Sequence, residues 1–252
     1  MSGHSKWSSI KHKKARMDAQ RGKLFGRMIR EITVAARQGG GNPDANARLR
    51  TAVQSAKSVN MPADNISRAI KKGTGELPGA SYEECLYEGY GPGGVAVMVE
   101  VVTDNKNRTS SELKKVFSKC GGHLGSSGCV SWLFHKKGIA AVEKSKCGED
   151  ELMEMSLDAG AEDIRVDGDT HVITSAPGDF EKLKEALAHK GIEFTYAEIT
   201  FVPEKTVAVE GKTAEQVLRL AEALEESEDT QHVHANFDVP DEMLEKLETE
   251  DA

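Results

Sequence analysis

"TVAVEGKTAEQVLRLAEALEESEDTQHVHANF", from Thr206 to Phe237, reads as strand, helix and strand. That β-α-β piece has no partner beside it and completes something begun much earlier. Upstream, "YEECLYEGY" (82–90) and "VAVMVEVVT" (95–103) are β-rich runs joined by "GPGG", a turn whose glycines can take positive φ. "NRTSSELKKVFSKCGG" (107–122) follows as an amphipathic helix with Leu113, Val116 and Phe117 inward and Gly121 at its end, and "CVSWLFH" (129–135) returns as a strand. The order strand, strand, helix, strand then stops. What intervenes is a unit in itself: strand Ile139 to Val142, helix Asp150 to Ala159, strands Asp163 to Val166 and His171 to Thr174, helix Asp179 to His189, strand Ile192 to Val202. Its β-α-β-β-α-β order is the split βαβ, ferredoxin-like order. The expected class is α+β, with a helical bundle followed by two ferredoxin-like domains, one inserted in the other.

The bundle is read from the first third of the chain. Leu24, Met28, Ile32 and Ala35 recur at helical spacing up to Gly39 and Gly40, which stop a first helix. Asn42 is the expected cap of a second, with Pro43 at its first position, Asp44 in its first turn, and Ala45, Leu49, Ala52, Val53 and Ala56 on one face. Pro62 opens a third, with Ile66 and Ile70 inward and Gly73 closing it. Three short amphipathic helices bury their stripes against one another. The domains expected are therefore 1–78 (basic arm and bundle), 79–136 with 204–240 (discontinuous α+β), 137–203 (inserted) and 241–252 (acidic tail).

Charge divides the chain more sharply than hydropathy does. Residues 1–78 hold 16 Lys and Arg against 5 Asp and Glu, a balance of +11, whereas the rest holds 17 against 36, or −19. A basic lobe attracts polyanions and an acidic one confines them to one side. With 38% hydrophobic and 29% charged residues and a mean hydropathy of −0.48, the composition is that of an ordinary folded protein. No apolar run approaches the roughly 20 residues of a membrane helix, and the basic start lacks the apolar core of a signal peptide. A transit peptide would share that start, but the charge continues into well-patterned helices. The chain reads as a cytoplasmic monomer with no membrane partner. Cys85, Cys120, Cys129 and Cys147 show no CxxC spacing, so reduced thiols are expected and neither zinc nor a disulfide scaffold.

The strongest local signal is "GHSKWSSIKHKKARMDAQRGK" (3–23). His4, Lys6, Lys11, His12, Lys13, Lys14, Arg16, Arg21 and Lys23 alternate with small and polar residues, the composition of an arm laid along phosphates. Trp7 can stack on an unpaired base or anchor the arm with Ile10. The outer faces of the bundle are expected to add Arg27, Arg30, Arg37, Arg48, Arg50, Arg68, Lys71 and Lys72. In "TDNKNRTSS" a strand runs into a helix whose free N–H groups would face Asp104, Asn105, Asn107, Arg108 and Thr109, an anion or RNA-backbone site, although Asn107 or Thr109 as an ordinary N-cap is the simpler reading. "GYGPGG" lacks the phosphate-loop pattern and reads as a hairpin turn. His232 and His234 share a strand face and read as surface residues without a third metal ligand. No catalytic motif is found, and no cofactor, metal or enzymatic activity is expected.

Four segments together carry a resemblance: "GHSKWSSIKHKKARMDAQRGKLF", "NMPADNISRAIKKGTGE", "YEGYGPGGVAVMVEVVTDNKNRT" and "FSKCGGHLG". They are long, ungeneric and spread nearly end to end, and by them the chain resembles the YebC/PmpR family of probable transcriptional regulatory proteins. The resemblance implies three domains, a cytoplasmic location, no established cofactor or catalytic residues, and DNA-binding regulation of transcription. As an alternative it implies a second role, since relatives are also described as ribosome-associated factors that help translation through proline runs, with ribosomal RNA as the partner. Bottom-up, a third role stays open: an adaptor whose acidic domains bind a protein partner.

Overall fold

The computed structural model describes residues 21–240. Helix α1 (Arg21–Gly39) packs with α2 (Ala47–Ser58) and α3 (Ala63–Thr74) around Ile32, Ala35, Ala36, Leu49, Ala56 and Ala69, all at most 1% exposed. The three-helix bundle follows the spacing of these small and branched residues. Two boundaries differ from expectation. Asn42 only makes a turn, its Oδ1 accepting from the Asp44 N–H at 3.0 Å, and the cap is Asn46. Asn46 does more than cap: Oδ1 accepts from Leu49 N–H at 3.1 Å while Nδ2 donates to the Ala35 and Gly40 carbonyls at 2.8 and 2.9 Å. The bond network locates the helix start where the end of α1 is within reach. Gly73 lies within α3, and Gly75 at φ 85° ends it. A Cβ on Gly73 would come within 2.4 Å of the Thr33 carbonyl oxygen, so this glycine lets α1 and α3 approach.

The same compact unit contains β1 (Glu83–Tyr90), β2 (Ala96–Thr103), α4 (Lys106–Lys119) and β3 (His123–Leu124), joined after the insertion by α7 (Gly211–Glu226) and β9 (Thr230–Ala235). The sheet is antiparallel in the order β3-β1-β2-β9, with the β1–β2 hairpin at its centre and Gly93 and Gly94 at positive φ in the turn. Its β2 is buried on both faces apart from Glu100. The expected strand over 129–133 does not form. Instead, the buried Glu88 carboxylate accepts the Gly128 and Val130 N–H groups at 2.7 and 2.8 Å, taking donors that a ladder would use.

The other unit holds β4 (Phe134–Glu143), α5 (Glu149–Asp158), β5 (Ala161–Asp167), β6 (Thr170–Ser175), α6 (Phe180–His189) and β7 (Tyr196–Pro203). Its order β5-β6-β4-β7, with every neighbouring pair antiparallel, is the ferredoxin-like arrangement, and Val142, Leu152, Ile173, Leu183 and Leu187 form its core. Strand β8 (Val207–Ala208) does not join the interrupted sheet as expected. It pairs in parallel with β10 (Phe237–Asp238), and the Asn236 side chain donates to the Lys205 carbonyl at 3.1 Å beside it. The fold is α+β: helices first, sheet domains after.

Candidate nucleic-acid interface

Helix α2 has two distinct faces. Leu49, Ala52, Val53 and Ala56 are buried, and Arg50, Thr51, Gln54, Lys57 and Ser58 are exposed. Arg50, Gln54 and Lys57 stand at i, i+4 and i+7 and therefore form one stripe. Only Nη1 of Arg50 is engaged, by the Pro43 and Asp44 carbonyls at 3.3 and 3.2 Å. On α3, Arg68, Lys71 and Lys72 are exposed, the two lysines in the last turn where the helix dipole favours cations. Arg68 meets Asp64 at 3.0 Å, but both side chains are about two-thirds exposed or more, so the pair is worth little and leaves the charge usable.

Three arginines expected on the outer faces are turned inward. Arg30 is 8% exposed; Nη1 donates to the Glu228 carbonyl, and Nη2 lies 3.0 Å from Glu228 Oε1 and 3.6 Å from Asp229 Oδ1. Arg27 is half-buried, and burial pushes its guanidinium pKa down against the opposing pull of Glu225. Arg48 donates to Glu31 at 2.7 and 2.9 Å, to Glu84 at 2.6 Å and to Gln38 at 2.8 Å. Its pKa is raised, first by the Glu31 bond, and the Glu84 carboxyl is held below its usual range by Arg48. These groups, with Arg37 donating to Ser81 Oγ and the Tyr82 carbonyl at 3.1 and 2.9 Å, fasten the bundle to the sheet that follows it. A guanidinium has five donors in a rigid fork, which suits it to this work. Lys23 is exposed; His4, Lys6, Trp7, Lys11, His12, Lys13, Lys14 and Arg16 lie outside the described residues, as does the side chain of Arg21.

At the start of α4 the cap is Asn105, whose Oδ1 accepts the Arg108 N–H at 3.1 Å, rather than Asn107 or Thr109. The anion beside this helix start is internal. Asp229, 2% exposed, accepts from Thr103 Oγ1 at 3.0 Å, Thr109 Oγ1 at 2.6 Å and Arg108 Nη2 at 2.8 Å. Burial pushes the Asp229 carboxyl up, but those three bonds outweigh it and hold the pKa below the usual value. Arg108 is further paired with Asp104 at 2.8 Å, while Asn107 is exposed.

Comparison with known proteins turns on the whole chain. The model of the TACO1/YebC N-terminal domain matches residues 5–76, and that of the TACO1/YebC second and third domain matches residues 82–237. The chain belongs to the TACO1/YebC family. Among its relatives are a "Probable transcriptional regulatory protein" of Desulfatibacillum aliphaticivorans, 56% identical over 97% of this chain and 99% of that one, and one of Dictyoglomus turgidum, 53% identical over 98% and 100%. A crystal structure of a conserved hypothetical protein from Aquifex aeolicus superposes with a TM-score of 0.83 at 53% identity, covering 93% of this chain and 97% of that one.

In this TACO1/YebC chain the remaining candidates are placed differently. His234 is 3% exposed, not a surface residue, with Nε2 2.7 Å from Glu100 Oε1; His232 is exposed and stacks on it at 6.1 Å between ring centroids. Burial pushes the thiols of Cys85, Cys129 and Cys147 up, away from the reactive thiolate. Among the described residues no group of His, Cys, Asp or Glu is arranged to hold a metal, and no helix is long and apolar enough to cross a membrane. Sequence reading passed over Gln54 and Lys57, although their spacing from Arg50 was legible. It passed over Asp229 because nothing local marks a carboxylate whose partners lie more than 100 residues away.

Proposed function

We propose that this protein is a regulator of gene expression that binds nucleic acid, duplex DNA first, through its N-terminal domain. The observation that carries the reading is the exposed stripe Arg50, Gln54 and Lys57 on α2, flanked by Arg68, Lys71 and Lys72 on α3. Arg and Gln are side chains that pair bidentately with guanine and adenine edges in the major groove, whereas lysines fix register on phosphates. The names of the relatives, probable transcriptional regulatory proteins, support the same reading. The basic arm supplies further phosphate contacts, as its composition suggests. The same cations are also suited to folded RNA, which is recognised by shape and phosphate without a groove-reading helix.

The test is competition. Selection from a random duplex pool should enrich a motif, and Gln54→Ala with Arg50→Ala should relax preference at one or two base positions by about 1 to 3 kcal/mol each. Equal affinity for all duplexes together with tighter binding to ribosomal RNA would replace the DNA reading by the translational one.

A further inference from the structure

Carboxylates and lysines are sorted differently in the segment from residue 79 to residue 130. All six of its carboxylates have internal partners. Glu83 pairs with Lys106 at 2.6 Å, Glu84 with Arg48, Asp104 with Arg108, and Glu100 lies against His234. Glu88 takes two backbone N–H groups, and Glu112 accepts from Ser227 Oγ at 3.1 Å. In contrast Lys114, Lys115 and Lys119 on α4 make no ion pair with any described residue. Leu113 and Phe117 hold the opposite face of the helix in the core, so these lysines stand on its solvent side.

Spacing makes the lysines part of a track. Asn107, Ser111, Lys114, Lys115 and Ser118 are exposed at i, i+4, i+7, i+8 and i+11, one face of a helix without a carboxylate on it. From Asn107 to Lys119 the track covers about 18 Å, the axial length of roughly five phosphates of one strand. Lys23 and Lys119 line one cleft of about 270 Å³ between α1, α4 and α7, together with Glu112 and Glu226, so the start of α1 lies beside the end of this face.

We infer that the solvent face of α4 is a second phosphate-contacting surface, in which Lys114, Lys115 and Lys119 neutralise phosphodiester charges and Asn107, Ser111 and Ser118 donate uncharged hydrogen bonds. This rests on the nucleic-acid reading above and extends it beyond the N-terminal domain. Glu83, Glu84 and Asp104 are neutralised by cations of the same chain and Glu88 is buried, while Glu112, whose partner is a hydroxyl, keeps its charge beside Lys119; the balance on the exposed face of α4 is positive, as a polyanion needs. The chemistry recognised is the phosphodiester backbone, common to DNA and RNA.

The experiment measures binding of the full chain to a 30-base-pair duplex (roughly six times the track) and to a ribosomal RNA hairpin across a salt series, for three variants besides wild type. In K114Q/K115Q/K119Q the log–log salt slope on duplex should fall in magnitude by about 2.7, at about 0.9 per phosphate contact, with affinity down by about tenfold or more. K114R/K115R/K119R should keep the wild-type slope, which separates lost charge from lost fold. K144Q/K190Q/K205Q, an equal charge change on exposed lysines of the other unit, should keep it too. Loss on either polymer supports the inference, and the larger loss names the polymer. A wild-type slope in K114Q/K115Q/K119Q overturns it while leaving the N-terminal reading intact, and equal losses in both Gln triples overturn it in favour of diffuse net charge. A flat salt response of wild type would remove both readings.

Discussion

Asp229 shows how one side chain can hold three elements. It is buried on the turn before β9, takes bonds from Thr103 at the end of β2 and from Arg108 and Thr109 on α4, and faces Arg30 of α1. Removing its charge leaves Arg30, at 10% side-chain exposure, with the exposed Glu228 as its remaining counter-charge. Asp229→Asn should therefore destabilise by about 2 to 3 kcal/mol in urea unfolding, less than for a fully buried pair because Arg108 can turn to water. The pH dependence has a definite sign. Asp229 and Glu84 both have folded pKa values below their unfolded ones, so their contribution is complete above the unfolded carboxyl range and is lost as pH falls through the lower folded values. Thermal melts should be level above about pH 5 and drop steeply below about pH 4, and the drop should be shallower in Asp229→Asn. An unchanged acid limb would show that the carboxylate is not what fastens the turn.

At the scale of elements, periodic apolar residues identify helices well and their ends poorly. The Leu49, Ala52, Val53 and Ala56 face of α2 was legible, yet its cap lies four residues beyond the expected Asn42, because Asn46 alone reaches both its own helix and the end of α1. Asn46→Ala should cost about 1 to 3 kcal/mol by denaturant titration, the loss of a cap plus the two bonds Nδ2 donates to the Ala35 and Gly40 carbonyls. Gly73 was legible as a break and proves to be a contact. Gly73→Ala would gain helix propensity of about 1 kcal/mol, but the Thr33 carbonyl 2.4 Å from the new Cβ is backbone and cannot turn aside. A net loss of about 1 to 3 kcal/mol is expected from the same titration. The strand over 129–133 fails for a related reason: alternation in "CVSWLFH" satisfies a strand pattern, but Glu88 captures the N–H of Val130, and that of Gly128 just before the segment, from 42 and 40 residues away.

For the whole molecule, the electrostatic division between front and remainder is real in sequence and is redistributed by folding. Of the bundle's cations, Arg30 and Arg48 neutralise carboxylates of the same chain, and Arg50, Lys57, Arg68, Lys71 and Lys72 stay exposed. Two sets of substitutions should consequently part company. R68Q/K71Q/K72Q should lower the salt slope of duplex binding by about 2 to 3 with little change in melting temperature, each lost phosphate contact counting about 0.9. Arg48→Gln should do the reverse, leaving the slope and lowering stability by about 1 to 2 kcal/mol, since a half-exposed network is worth less than a buried one. If Arg48→Gln flattened the salt dependence instead, the sorting of cations drawn from their partners would be wrong.

Local order determined most of the helices and strands and the sign of the charge on each stretch, because helical and strand periods and charge runs are properties of neighbouring residues. Tertiary structure decided which arginines serve as fasteners, why Asp229 fills the start of α4, and which lysines stay exposed. Those choices join residues as far apart as Arg30 and Glu228, 198 positions along the chain, and a pairing at such separation leaves no mark on the residues around either partner.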